Sequence, residues 1–191
     1  MSDACHTFTA ALRTLLVTTP YYKVTVQDLC DAAFLSRRTF YKHFQNKDSV
    51  VRAMVNEDFI EPPTTLRTIM DVDNFKSAPR LLTERAYQNV LNNAACYKNL
   101  LTHLGKQALL DIILEENYEF SRKLFNTYDW STDEMDYAAW CMASVTATTI
   151  VRWIKNDFDI NASKLAQLYN LWVMAHWREI DFPQSILGNN T

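Results

Sequence analysis

Arg37, Arg38, Tyr41 and Lys42 lie close enough in the chain to share the outer side of one helix. Guanidinium and ammonium groups bind phosphate oxygens, and an arginine fork can also read a base edge in a major groove. Phe40 and Phe44 are four residues apart. That spacing puts both rings on the opposite face, where they would pin the helix to a core. His43 and Lys47 fall further along, where a phosphate backbone would pass. The stretch 37–52 holds Arg37, Arg38, Lys42, Lys47 and Arg52 against Asp48 alone, a net charge of +4. A basic run by itself is most often a solvated helix face. The residues that frame this one argue for more.

Thr25 is placed to cap a helix, with Asp28 three residues on as in a capping box. Val24 and Leu29 flank that cap with hydrophobic-staple spacing. Ser36 repeats the device, with Leu35 and Phe40 as the staple pair. The two helix starts are eleven residues apart, room for one short helix and a tight turn. This predicts a helix-turn-helix whose second helix presents the cations. The DNA-facing set is Thr25, Ser36, Arg37, Arg38, Thr39, Tyr41, Lys42, His43 and Lys47.

The run TVQDLCDAAFLSRRTFYKHFQNKDSVV resembles the DNA-binding signature of the TetR family of bacterial transcriptional regulators. The resemblance covers residues 5–57 and is most specific in S-R-R-T-F-Y-K-H-F-x-N-K. It departs from the family at Phe34, where glycine is usual in the turn. Glycine there supplies a positive φ that a bulky side chain disfavours. Either Phe34 carries backbone strain at a positive φ, or the turn is reshaped with Phe34 packed against Leu29 or Phe40; the reshaped turn is the favoured expectation.

The 191 residues include only two glycines and five prolines, with 48% hydrophobic and 21% charged side chains. Few turn formers in an ordinary globular composition predict an all-α chain. The expected architecture is a three-helix DNA-binding head, residues 1–47, followed by a larger helical-bundle body, residues 48–191. Net charge is −3, but residues 1–60 carry +1 and the remainder −4. A near-neutral head with one basic helix suits specific DNA binding better than a nonspecific coat. Cys5, Cys30, Cys96 and Cys141 form no C-x-x-C pair and read as free thiols in a reducing cytoplasm. The N-terminus lacks a signal-peptide pattern, and no apolar run is long enough to span a bilayer.

Nothing in the sequence assembles into catalysis or a cofactor site. His6, His43, His103 and His176 lack metal-ligand partners at helical spacing. There is no glycine-rich phosphate loop and no nucleophile elbow. Asp111, Glu115, Glu116 and Glu119 read as a solvated face rather than a cation site.

The body reads as helical throughout. Pro62-Pro63 ends the helix that leaves the head, and Phe75 to Pro79 opens the next. Ser131 to Glu134 is a capping box before a largely apolar helix. Ala139, Ala143 and Ala147 form a small-residue ridge on it. Asn161 caps a last helix, with Leu165, Leu168 and Trp172 along a seam. In layout these two helices resemble the family's dimer-forming pair, so this set is the expected interface of a homodimer. The alternative is that the pair closes the monomer's own core. The resemblance also implies a small-molecule effector in the body. Tyr87, Tyr97, His103, Tyr137, Trp140 and Ser144 are its candidate contacts. The implied function is a cytoplasmic regulator, a repressor in the first reading, that binds a palindromic operator under effector control. The alternative is a body that binds a protein partner, with an activator or adaptor role.

Overall fold

The computed structural model describes residues 2–59, 78–126 and 130–171, excluding the side chains of residues 78–82 and 124. Among these residues the regular structure is entirely helical. Pro62-Pro63, the Phe75 opening and Trp172 lie outside the described residues.

The head begins with α1, Asp3–Leu16, capped by Ser2, whose hydroxyl accepts from the Cys5 N–H. Phe8, Ala11, Leu12 and Leu16 recur every three or four residues and form its buried stripe. A 3-10 turn at Tyr21–Lys23 leads to α2, Val26–Ala33, and then α3, Arg37–His43. The Thr25 capping box is complete: its hydroxyl accepts from the Asp28 N–H, and the Asp28 carboxylate accepts from the Thr25 N–H. Ser36 caps α3 by accepting from the Thr39 N–H. Helix α1 packs across both α2 and α3. Phe8 stands edge-on to Phe40 at 5.2 Å and to Phe44 at 5.9 Å.

The turn between α2 and α3 differs from the expectation. Phe34 adopts the left-handed conformation, φ 54° and ψ 35°, and its side chain is 94% exposed. It packs against neither Leu29 nor Phe40 as a core residue would. The turn keeps the left-handed residue that a glycine would have supplied. The Phe34 and Leu35 N–H groups bond back to Asp31 and Cys30 carbonyls, as at a glycine-terminated helix end. The backbone bonds closing α2 therefore outweigh the steric preference of the side chain.

Helix α4, Lys47–Phe59, belongs to both parts of the molecule. It packs on α1 of the head and on α5, Ala78–Asn92, and α7, Lys106–Phe125, of the body. Between those two lies α6, Ala94–His103, which touches α1 and the 3-10 turn. Gly105, at φ 104°, permits the sharp turn from α6 to α7.

The body is completed by α8, Thr132–Lys155, and α9, Ala162–Tyr169. Ser131 and Glu134 form the capping box of α8, and Asn161 caps α9. Helices α7 and α8 make the most extensive pairing, and α9 lies on α5. Ala139, Ala143 and Ala147 are fully buried within a single protomer. The small-residue ridge does allow close helix approach, but within the chain's own core, and it offers no surface to a second copy. Leu165 is also buried, while Leu168 is half-buried. Sequence spacing identified a close contact; it could not identify which helix would fill it.

Candidate nucleic-acid interface

Helix α3 is held from behind and open in front. Phe40 is completely buried and Phe44 nearly so, both against Phe8. Edge-to-face aromatic pairs add directional attraction to the area they bury, so the helix is fixed in rotation as well as position. On the other side Arg37, Arg38, Tyr41 and Lys42 are exposed. Arg37, Arg38 and Lys42 carry no ion pair or hydrogen bond among the described residues. Thr39 and His43 are half-buried at the margins, with the Thr39 hydroxyl 2.9 Å from that of Ser36. Three uncompensated cations on a rigid seven-residue helix form a surface that an external polyanion can neutralise.

The other two cations of the basic stretch are engaged inside the protein. Lys47 was expected to face phosphate. Its ammonium instead donates to the Tyr21 and Val24 carbonyls, at 3.0 Å each. It also lies 4.4 Å from the centre of the Tyr21 ring. Lys47 staples the 3-10 turn to the start of α4. The Tyr21 hydroxyl in turn donates to Asp48. Burial and that carboxylate raise the Tyr21 phenol far above its ordinary range, so it stays a donor. Arg52 pairs with Glu115 and Glu116 of α7. The open charge of this basic stretch is therefore concentrated on α3.

Behind α4 lies a buried polar seam that sequence patterns did not reveal. Arg13 of α1 donates to Asp58 at 2.9 Å and to Glu57 at 3.0 Å. Asp58 also accepts from the Tyr97 hydroxyl of α6 at 2.7 Å and from the Asn93 amide at 3.3 Å. Burial pushes the Asp58 carboxyl above its ordinary range, against the lowering effect of Arg13 and Tyr97. Glu57 accepts from Thr9 at 2.6 Å and contacts His6 at 3.2 Å. Asn99 of α6 joins the seam further along. Its amide donates to the Leu16 and Thr19 carbonyls and its oxygen accepts from the Tyr21 N–H, all within 2.9 Å. One body helix thus satisfies the backbone where α1 ends. The available signal was the recurrence of Asn89, Asn93 and Asn99 along a helical stretch, amides that need partners wherever they are buried.

The six candidate effector contacts do not converge. Tyr97 is fully buried but committed to Asp58. His103 is exposed and meets the Tyr22 ring at the head–body boundary. Tyr137 and Trp140 are exposed on α8, with Trp140 stacked on Tyr118 at 4.9 Å, and Ser144 is half-buried. Tyr87 sits deep in the body, between Trp153 and Tyr169. Its hydroxyl is buried with no hydrogen-bond partner among the described residues. Burial raises this phenol well above its ordinary value, with the nearby Tyr169 adding to the effect. Among the described residues no cluster of His, Cys, Asp or Glu could hold a metal, and no helix is long and apolar enough to cross a membrane.

Comparison with known proteins agrees with this geometry. Over 124 residues the chain is 30% identical to the "Glycosyltransferase GlyF" of Streptococcus pneumoniae serotype 4, covering 63% of this chain but 29% of that protein. The chain thus spans less than a third of that relative's length. The solved structure of the "Dihydroxyacetone kinase operon activator DhaS" superposes with a TM-score of 0.61 at 18% identity. That match covers 92% of this chain and 97% of DhaS, and it shows the shared fold. Residues 79–173 match the family described as "Transcriptional regulator C-terminal region", which coincides with the body helices. Residues 8–54 match "Bacterial regulatory proteins, tetR family", from the buried Phe8 through α3 to Met54. With its helix-turn-helix head and its regulator-type body both matched, the chain belongs to the TetR family of DNA-binding transcriptional regulators.

Proposed function

We propose that the protein acts as a cytoplasmic homodimer that places two copies of α3 in successive major grooves of a palindromic operator. The supporting observation is the set of cations Arg37, Arg38 and Lys42, without partners among the described residues, on a helix fixed by Phe40 and Phe44. We keep the functional division at residue 47, with α4 carrying changes in the body to the head. A two-fold protein reading half-sites one helical turn apart spaces its recognition helices by about 34–36 Å. The dimer face is reassigned from the alanine ridge to the outward stripe of α8. Tyr137, Trp140 and Val145 are exposed there, as is Leu171 just beyond α9. Selection of bound sequences from random DNA tests the proposal. An enriched inverted repeat with strongly salt-dependent affinity is expected. A pool with no shared motif would overturn it.

For control we propose an effector with a hydrogen-bond acceptor that meets the buried Tyr87 hydroxyl beside Trp153 and Tyr169. It would favour one of two head spacings and so repress or release the operator. The dispersal of the other candidate contacts supports a second reading, in which the exposed α8 stripe takes a protein partner and the regulator activates. Sedimentation of Trp140→Glu separates the two. A monomer is expected if the stripe is the dimer face. An intact dimer would assign the stripe to another partner.

A further inference from the structure

The turn joining α2 to α3 carries a side chain that no element among the described residues covers. Phe34 is held in the left-handed conformation, at φ 54°, where glycine is at ease and an aromatic residue is not. It is also the most exposed large apolar side chain among the described residues, at 94%. Backbone and side chain are thus both in environments that disfavour phenylalanine. In the free protein no burial compensates for either.

Its position gives the ring a use. Phe34 stands two residues before Ser36, the cap of α3, and so beside the end of the helix that bears Arg37 and Arg38. The N-terminal residues of a recognition helix are those that meet base edges. In the major groove the thymine C5-methyl is a distinctive apolar feature, and phenylalanine is among the side chains that contact it. Arg37 and Arg38, free of partners among the described residues, would bring phosphates and base edges to the same place.

We propose that Phe34 is a specificity-determining residue, its ring seated against a thymine methyl at the edge of each half-site. The proposal rests on α3 being the DNA-reading helix. The glycine expected at this position from the family pattern could make no such contact.

Deoxyuridine pairs as thymidine does but lacks the methyl group, so it isolates the contact. Each thymidine of a selected operator is replaced in turn, and affinity is measured for the intact protein, Phe34→Gly and Phe34→Asn. Both substitutes tolerate a left-handed turn. At one position per half-site, wild type should lose about fourfold, the factor for one buried methyl at about 0.8 kcal/mol. Both variants should be indifferent there while keeping wild-type sensitivity elsewhere, and Phe34→Gly should melt no lower than wild type. Unchanged methyl sensitivity in the variants would overturn the proposal. So would an equal loss of affinity for all sequences. Wild type that binds no DNA would instead refute the reading of α3 on which the proposal depends.

Discussion

On the outer face of α3, three cations stand without partners among the described residues; at the head–body seam, one guanidinium meets two carboxylates, and one of those carboxylates also accepts from a tyrosine hydroxyl and an asparagine amide. Both regions are polar, yet they solve opposite problems. Cations on α3 are solvated by water, so leaving them unpaired costs little until a polyanion replaces that water. Groups at the seam are removed from water, and each must find a partner or carry its desolvation cost in full. Exposed polarity is thus available for recognition, while buried polarity fixes relative position. The comparison teaches where to look for each role: uncompensated charge marks a surface open to an outside partner, and completed networks mark the join between head and body.

The sharpest way to break this contrast is at Asp58. Asp58→Ala leaves Arg13 and the Tyr97 hydroxyl short of a partner inside the protein. Losing one partner of a buried pair typically costs about 3–5 kcal/mol. Denaturant titration should show a loss of that order, and a variant as stable as wild type would mean that the seam is not structurally coupled. Lys47 provides the next test, because it looks like a DNA contact in sequence and a staple in structure. Lys47→Ala should cost about 1.5–3 kcal/mol of stability, the range for hydrogen bonds to charged groups. It should leave the salt dependence of DNA binding unchanged. Lys42→Ala should do the reverse, lowering the salt slope by about one phosphate at constant stability. If the two variants exchanged phenotypes, the inward assignment of Lys47 would fall.

Arg38→Ala sharpens the recognition side. Its melting should stay within about 0.5 kcal/mol of wild type. Discrimination between operator variants should drop by about 1–3 kcal/mol at one base position. A uniform loss across sequences would make Arg38 a phosphate contact. The smallest effect concerns Asp28, whose carboxyl lies below its ordinary value because it accepts from the Thr25 hydroxyl and N–H. A depressed carboxyl stabilises the fold above its unfolded-state value, and that contribution is lost as pH falls through the folded-state value. An NMR titration should find Asp28 moved part of the way back in Thr25→Ala, which keeps the N–H bond but loses the hydroxyl.

The head was legible because its signals are local. A cap and its partner are three residues apart, and Phe40 and Phe44 are four apart, so Thr25, Ser36 and the face of α3 follow from adjacent residues. The same locality explains the errors. Phe34 was recognised as out of place, but whether its ring or its backbone would yield depends on the bonds that close α2. The alanine ridge announced a close approach without saying whether α7 or a second protomer would fill it. The seam was illegible because its partners are far apart: Arg13 and Asp58 are separated by 45 residues and Tyr97 lies 39 beyond Asp58. No spacing rule reaches that far, and a lone polar residue on a helix looks the same whether it meets water or a carboxylate.

The Asn99 contacts carry a consequence for how the chain folds. Its amide closes on Leu16 and Thr19 across 83 and 80 residues, and the neighbouring Cys96 thiol donates to the Arg13 carbonyl across 83. During synthesis the first helix leaves the ribosome well before the segment that satisfies its last carbonyls. Contacts at such separation require the closure of long loops and slow the approach to the native state. The nascent head therefore completes its packing only when α6 arrives, so a truncated chain ending before α6 would present the recognition helix on an unfinished support.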